Sequence, residues 1–359
     1  MPCSKRSTNL PAAPTAACRR RASRVKTTAE SANPAIALEA RVEELSSRLE
    51  SSLAAVLPGI SGAGAADAAS PSREFGVDRL VESMRYSLQT PGKRVRPLLL
   101  LAAARGLGAP LESALPFATA LEMIHAYSLI HDDLPAMDDD ELRRGQPTNH
   151  VLFGDGMATL AGDGLLTEAF CLLMACSADP ALTLRIAGEF ARASGVQGMV
   201  GGQAADLMAE GLQSGDGAAA AGGDKRGDRA ELLRAIHRRK TGELLQVSAV
   251  AGVLLAGGDS AQLAAADDFG LHFGLAFQIA DDVKDELLDT AATGKRAGGD
   301  RARGKLTYPA VHGVARSLEL GRAELAAALA ALAPLGPAGG LLQHIASSSV
   351  VPVFEQAAG

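Results

Sequence analysis

The sequence predicts an all-α chain built as a single helical domain, and three observations predict it. From Val77 onward nearly every segment carries apolar residues at helical spacing, while alternation between β-branched residues is nowhere sustained. The punctuating Gly92, Gly106, Pro110 and Pro180 fall between the periodic stretches. The composition agrees, because 47% hydrophobic residues with only 3% aromatics, no Trp and 39 Gly describe an interior packed from Ala and Leu. That content excludes disorder throughout, and 359 residues suffice for one large domain or two ordinary ones.

Residues 1–34 form a Ser/Ala/Pro/Arg-rich extension, predicted to be disordered and basic. Lys5, Arg6, Arg19, Arg20, Arg21, Arg24 and Lys26 stand there against Glu30, so this segment carries +6 and the remainder −12 of an overall −6. Lacking an apolar core it is not a secretory signal, and two readings stand: an organelle transit peptide, or an unstructured extension from an upstream start codon. Residues 35–72 read as a helix, Ile36 to Leu57, followed by a Gly/Ala/Ser linker. The helical domain proper spans 73–346, with periodic segments at 78–89, 95–107, 111–132, 157–176, 181–211, 229–256, 260–288 and 306–332. Ser214 to Asp228 reads as a flexible loop, and 347–359 as a C-terminal tail.

Several function classes are excluded. A nucleic-acid binder would carry the opposite charge in its folded part. Cys3, Cys18, Cys171 and Cys176 have no metal-ligand spacing, and the last two sit in a Leu/Met-rich run that reads as core. No uninterrupted apolar run reaches the roughly 18 to 20 residues of a membrane span, so the chain reads as soluble.

The chemistry concentrates in two acid clusters. His131-Asp132-Asp133-Leu134-Pro135-Ala136-Met137-Asp138-Asp139-Asp140-Glu141 directly follows an apolar helix containing Leu121, Ile124 and Ile130. Carboxylates crowded at the end of a buried helix repel one another unless a cation neutralises them. No register supplies the acids and Gly of an EF-hand loop, whereas hard oxygens with incomplete protein coordination suit Mg²⁺ shared with substrate phosphates. Asp281, Asp282 and Asp285 close a second apolar helix, with Asp281 and Asp285 on one face. Cations that could hold phosphate come as Lys93 and Arg96 in GKRVRP, Arg143-Arg144-Gly145, and HRRKTG around Lys240. His125 precedes Asp132 by seven residues, so a continuous helix puts both on one side.

These motifs resemble the trans-prenyltransferases, the short-chain isoprenyl diphosphate synthase (polyprenyl synthetase) family. The resemblance runs from about Met84 to Ala315 through GKRVRP at 92–97, IHAYSLIHDDLPAMDDDELRRGQPTNH at 124–150, LAGDGLL at 160–166, GGQAADL at 201–207, HRRKTGELL at 237–245, FGLAFQIADDVKDELLD at 273–289, GKRAGGD at 294–300 and GKLTYPA at 304–310. It implies the isoprenoid synthase fold, a helical bundle around a central cavity. Asp132, Asp133 and Asp138 then resemble the first aspartate-rich motif, and Asp281, Asp282 and Asp285 the second, together the metal ligands. A straight helix would favour Asp139 as the third acid, and the family pattern favours Asp138. Lys93, Arg96 and His125 match the isopentenyl diphosphate site, with Arg144 beside it, while Arg143, Lys240, Thr241, Gln278 and Lys295 match contacts to the allylic substrate. Lys305 matches a further diphosphate-binding lysine.

The implied reaction is Mg²⁺-dependent ionisation of an allylic diphosphate (dimethylallyl or geranyl), attack by isopentenyl diphosphate, and loss of a proton. About three Mg²⁺ ions are expected, with Mn²⁺ a substitute. Product length is implied to rest on Tyr127 and Ser128, and a bulky Tyr127 resembles the bacterial farnesyl diphosphate synthases. The alternatives are a geranylgeranyl synthase and, in other classes, a non-catalytic partner subunit or a terpene cyclase. Pro91, Lys284 and a tail from Ser347 without basic residues depart from the pattern. The resemblance also implies a homodimer. Localisation is expected to be cytoplasmic, or plastid if the extension is a transit peptide.

Overall fold

The structure is a computed structural model, and it describes residues 34–57, 76–176, 179–210, 225–287 and 304–357. The basic extension 1–33, the linker over 58–75, the loop segment 211–224 and Lys295 lie outside the described residues.

Chain order explains the architecture. Helix α1 (Pro34–Val56) buries Leu45, Leu49 and Leu53 at i, i+4 spacing, as its sequence predicts, whereas Ile36 remains exposed. Two short helices follow, α2 (Asp78–Gln89) and α3 (Val95–Gly106). In α3 the residues Leu98 to Ala104 are all buried, so this helix is wrapped on every side by others. The long α4 (Leu111–Asp132) ends on the first acid cluster. A two-stranded hairpin, β1 (Leu142–Arg143) and β2 (Gln146–Pro147), leads through α5 (Asn149–Phe153) into α6 (Asp155–Met174). The hairpin turns at Arg144 and Gly145, whose φ of 54° and 75° suit a tight two-residue turn.

Three periodic segments are interrupted where a single helix is predicted. The stretch 181–211 divides into α7 (Pro180–Ser194) and α8 (Met199–Ala209) at Gly195 to Gly198. The stretch 229–256 becomes α9 (Lys225–His237) and α10 (Glu243–Leu255), joined by one π-helical turn at Arg238–Gly242. Such a turn widens the helix and marks many functional sites. Helix α9 thus takes in the last residues of the predicted loop 214–228. After α11 (Ser260–Leu287), the stretch 306–332 breaks at Gly313, φ 79°, into α12 (Tyr308–His312) and α13 (Val314–Ala331). The final α14 (Pro337–Gln356) runs straight through the boundary set at 347 and buries Val350 and Phe354, so those residues are core and not a loose tail.

The packing places α4 on α3 and α6, α10 between α3 and α11, and α13 and α14 against α11. One reading needs correction. Cys171 is exposed and Cys176 half-buried, because α6 turns its Ala158, Ala161, Leu165, Ala169 and Leu173 face inward and leaves the opposite face open. That same helix, though interrupted by Asp163 and Glu168, is long and apolar enough to cross a membrane by length and composition, with mean hydropathy 1.3 and 33% of its window buried.

Candidate active site

The acid-bearing ends of α4 and α11 open on one cavity of about 1100 Å³, to which both clusters and all three cation groups contribute. Asp132 lines it from α4, and Asp281, Asp282 and Asp285 from α11. Beyond Asp133 the chain folds back on itself, the Asp138 N–H donating to the Asp132 carbonyl at 2.8 Å. This return turns Asp138 into the cavity, where Asp140 also lines the wall, and leaves Asp139 exposed with φ 51°, so of Asp138 and Asp139 it is Asp138 that faces the site. Asp133 is the exception among the six acids. It does not line the cavity, and its two oxygens accept from Arg143 Nε and Nη2 at 2.7 and 2.6 Å, a bidentate pair that aims Arg143 instead.

Asp138 also meets a cation, whereas Asp282 is held by neutral donors. Lys305 Nζ donates to Asp138 Oδ1 at 2.7 Å. Asp282 accepts from the Tyr308 N–H and from Gln278 Nε2, both at 2.9 Å, and Gln278 Oε1 accepts from Thr241 Oγ1 at 2.6 Å. Lys240 Nζ donates to Asp206 at 2.6 Å, which raises its pKa and keeps it charged against its burial. Burial raises the Asp132 carboxyl above the ordinary carboxylate range, offset by Lys240 and reinforced by Asp138. His237, enclosed against the Tyr308 ring, is pushed down to about 3 by burial.

At the opposite wall, Lys93 Nζ donates to the Ser349 carbonyl at 3.1 Å and Arg96 Nη1 to His125 Nε2 at 3.3 Å. Arg96 as donor leaves the imidazole proton on Nδ1, and burial beside Arg96 and Arg144 holds His125 well below its usual pKa, hence neutral. Burial lowers Arg96 to about 10. Arg144 Nη1 reaches the Pro91 carbonyl at 3.1 Å. Lys284 also lines the cavity and lowers the Lys93 pKa, after burial.

A family profile described as polyprenyl synthetase matches residues 77–332 of the sequence. The chain belongs to the polyprenyl synthetase family. It is therefore a prenyltransferase, an enzyme of an all-α fold. It is 45% identical over 251 residues to the farnesyl diphosphate synthase of Geobacillus stearothermophilus, an alignment covering 68% of this chain and 78% of that one. Over 259 residues it is 44% identical to the chloroplastic large subunit 1 of a heterodimeric geranylgeranyl pyrophosphate synthase of Arabidopsis thaliana, covering 71% of this chain and 66% of that one. Among solved structures it resembles the geranyltransferase of Helicobacter pylori complexed with magnesium and isoprenyl diphosphate, with a TM-score of 0.71, 27% identity, and 90% and 98% of the two chains covered.

A polyprenyl synthetase needs hard-cation chemistry, and the donor set fits it. Among the described residues no three His, Cys, Asp or Glu side chains form a closed metal site. The carboxylates instead line an open cavity, which is how Mg²⁺ is commonly held, by one or two carboxylates with water and substrate phosphate completing its shell. The apolar end of the cavity passes Tyr127 and Ser128, whose Tyr127 ring lies edge-on to His131 at 5.8 Å. Burial, with Asp132 near, pushes the Tyr127 phenol up to about 12. Met199, Val200 and Leu207 of α8 also line the cavity.

Sequence reasoning missed Asp206, Glu122, Arg94 and His237 as parts of this site. Asp206 stood in the GGQAADL segment as the one acid of its helix and Glu122 in the middle of apolar α4, and the acid clusters overshadowed both.

Proposed function

We propose that the protein condenses isopentenyl diphosphate with dimethylallyl and geranyl diphosphates to give (E,E)-farnesyl diphosphate. The observation that carries the reading is the convergence of both acid clusters and the phosphate-binding cations on one cavity with an apolar end. Bound there, about three Mg²⁺ ions, or Mn²⁺ in their place, would neutralise the allylic diphosphate and make it a better leaving group. Asp132, Asp138, Asp281, Asp282 and Asp285 are the residues that would hold them, with Asp133 acting through Arg143.

The chain's own groups do the rest. Arg143, Lys240 and Lys305 face the allylic diphosphate, where negative charge grows as the C–O bond breaks, and so favour the transition state over the ground state. Lys295 matches the same group by sequence alone. The paired Thr241 and Gln278 dipoles face the developing allylic cation. Lys93, Arg96, neutral His125 and Arg144 orient isopentenyl diphosphate so that its double bond attacks that cation, and the departing diphosphate takes the proton lost in the elimination.

The product assignment is supported by Tyr127 in the apolar wall and by similarity to a bacterial farnesyl diphosphate synthase. A second reading, geranylgeranyl diphosphate, is supported by the plant relative. Incubation with Mg²⁺, labelled isopentenyl diphosphate and geranyl diphosphate, with products resolved by carbon number, distinguishes them. A C15 product is expected, C20 favours the second reading, and no extension or a cyclised hydrocarbon overturns both.

Assembly as a homodimer is supported by the apolar residues that α6, α7 and α8 expose, among them Leu160, Leu184 and Met208. A cytoplasmic location fits the bacterial relatives, and a plastid one the chloroplastic relative with the basic extension read as a transit peptide.

A further inference from the structure

The loop entering α3 carries Lys93 and Arg96 into the cavity, and Arg94, next to Lys93, is buried. Arg94 is 5% exposed and holds φ 47°, a left-handed backbone that costs energy in a residue with a side chain. Its guanidinium is engaged on three sides. Nε donates to Glu50 of α1 at 2.8 Å, Nη1 to Glu122 of α4 at 2.6 Å, and Nη2 to the Leu88 carbonyl of α2 at 2.9 Å. One side chain thereby ties three helices to the start of a fourth, which is the kind of over-determination that holds a strained backbone.

Glu122 is 2% exposed and sits one turn before His125 on α4, at the cavity wall. Its Oε1 accepts from Arg94, whereas its buried Oε2 has no hydrogen-bond partner. Left so, a buried carboxylate oxygen is costly unless other positive charge stands near it. Arg96 and Arg144 supply that charge, since the Glu122 carboxylate is the foremost attraction acting on each. Three guanidiniums crowd this wall, and one carboxylate faces them all.

We propose that Arg94 and Glu122 are the positioning pair of the isopentenyl diphosphate site. Their ion pair, braced from α1 by Glu50, locks the loop at 92–96 with Lys93 and Arg96 in the cavity. The Glu122 carboxylate is the shared counter-charge that lets Arg94, Arg96 and Arg144 stand together before any diphosphate arrives. Neither residue touches the reacting atoms. The assignment rests on reading this wall as the isopentenyl diphosphate site.

The test compares Glu122→Gln, Arg94→Lys and Glu50→Gln with the wild-type enzyme on two readouts. In steady-state kinetics the KM for isopentenyl diphosphate is expected to rise about tenfold or more in the first two variants and about two- to fivefold in Glu50→Gln, with the KM for geranyl diphosphate held within about twofold. A merely structural role would move both KM values together or lower kcat alone, and either result overturns the proposal. Amide hydrogen exchange of residues 88–96 in the substrate-free protein is expected to quicken in every variant while the end of α11 keeps its protection. Unchanged exchange in that loop also overturns it. Exchange does not depend on turnover, so a wild-type protein that makes no prenyl chain defeats the functional reading while the loop lock is still judged. Should Glu122→Gln fail to fold, Glu50→Gln, altered at a half-exposed acid, decides by the same two readouts.

Discussion

Asp132 is held in a state unfavourable to its charge, since burial raises its carboxyl pKa. A folded-state pKa above the unfolded one means that ionisation weakens the fold. The cost is absent below the unfolded value of about 3.9 and complete once the pH has passed the folded value. Asp132→Asn is therefore expected to raise the melting temperature of the metal-free protein at pH 7, with the gain vanishing near pH 3. The same variant should lower kcat by roughly 10²- to 10³-fold, a loss typical of removing one transition-state contact. A melting temperature unchanged at pH 7 would show that neighbouring Lys240 and Arg143 already offset the burial. Tyr127 makes a separate prediction. Its ring occupies the apolar wall, so Tyr127→Ala should shift products beyond C15, and an unaltered product profile would remove it as the length determinant.

Among the elements, α8 and the π-turn at Arg238–Gly242 meet more closely than side chains permit. A Cβ at Gly202 would overlap the backbone of Lys240, the residue whose ammonium is held by Asp206 on the same α8. Gly202→Val is expected to push the two apart, costing about 1–3 kcal/mol of stability by overpacking and raising the KM for the allylic substrate. Equal stability and unchanged kinetics would mean that α8 can retreat freely. The last helix offers a second test of element-level packing. Truncation after Ser349 removes Val350 and Phe354 from the core, a loss of about 3–6 kcal/mol in burial, and it strips the cavity of Val353. Thermal denaturation of the truncated protein measures it, and a melting curve like that of the full chain would mean that α14 adds nothing beyond Ser349.

For the molecule as a whole, the family match begins at residue 77 and α1 at Pro34, so the chemistry is expected to be indifferent to the basic extension. Deleting residues 1–33 should leave kcat and melting temperature unchanged, and a loss in either would assign the extension a part in the fold. Sedimentation is expected to give a dimer that Leu160→Glu combined with Met208→Glu dissociates, since both are exposed apolar side chains. By itself, the sequence determined the helical class, the ends of α2 and α4 and most of the acids and cations that line the cavity. Apolar periodicity and clustered like charges are local patterns, and they survive being read one segment at a time. Only the tertiary structure decided that Asp133 serves Arg143 and that the Arg94 guanidinium is held by Glu50 and Glu122, while for the third acid the cavity lining agrees with the Asp138 that the resemblance favoured and not with the Asp139 of a straight helix. Each of those outcomes depends on a partner distant in sequence or on a backbone reversal. A charged side chain in a buried setting points wherever its counter-charge stands, and helical spacing carries no information about that.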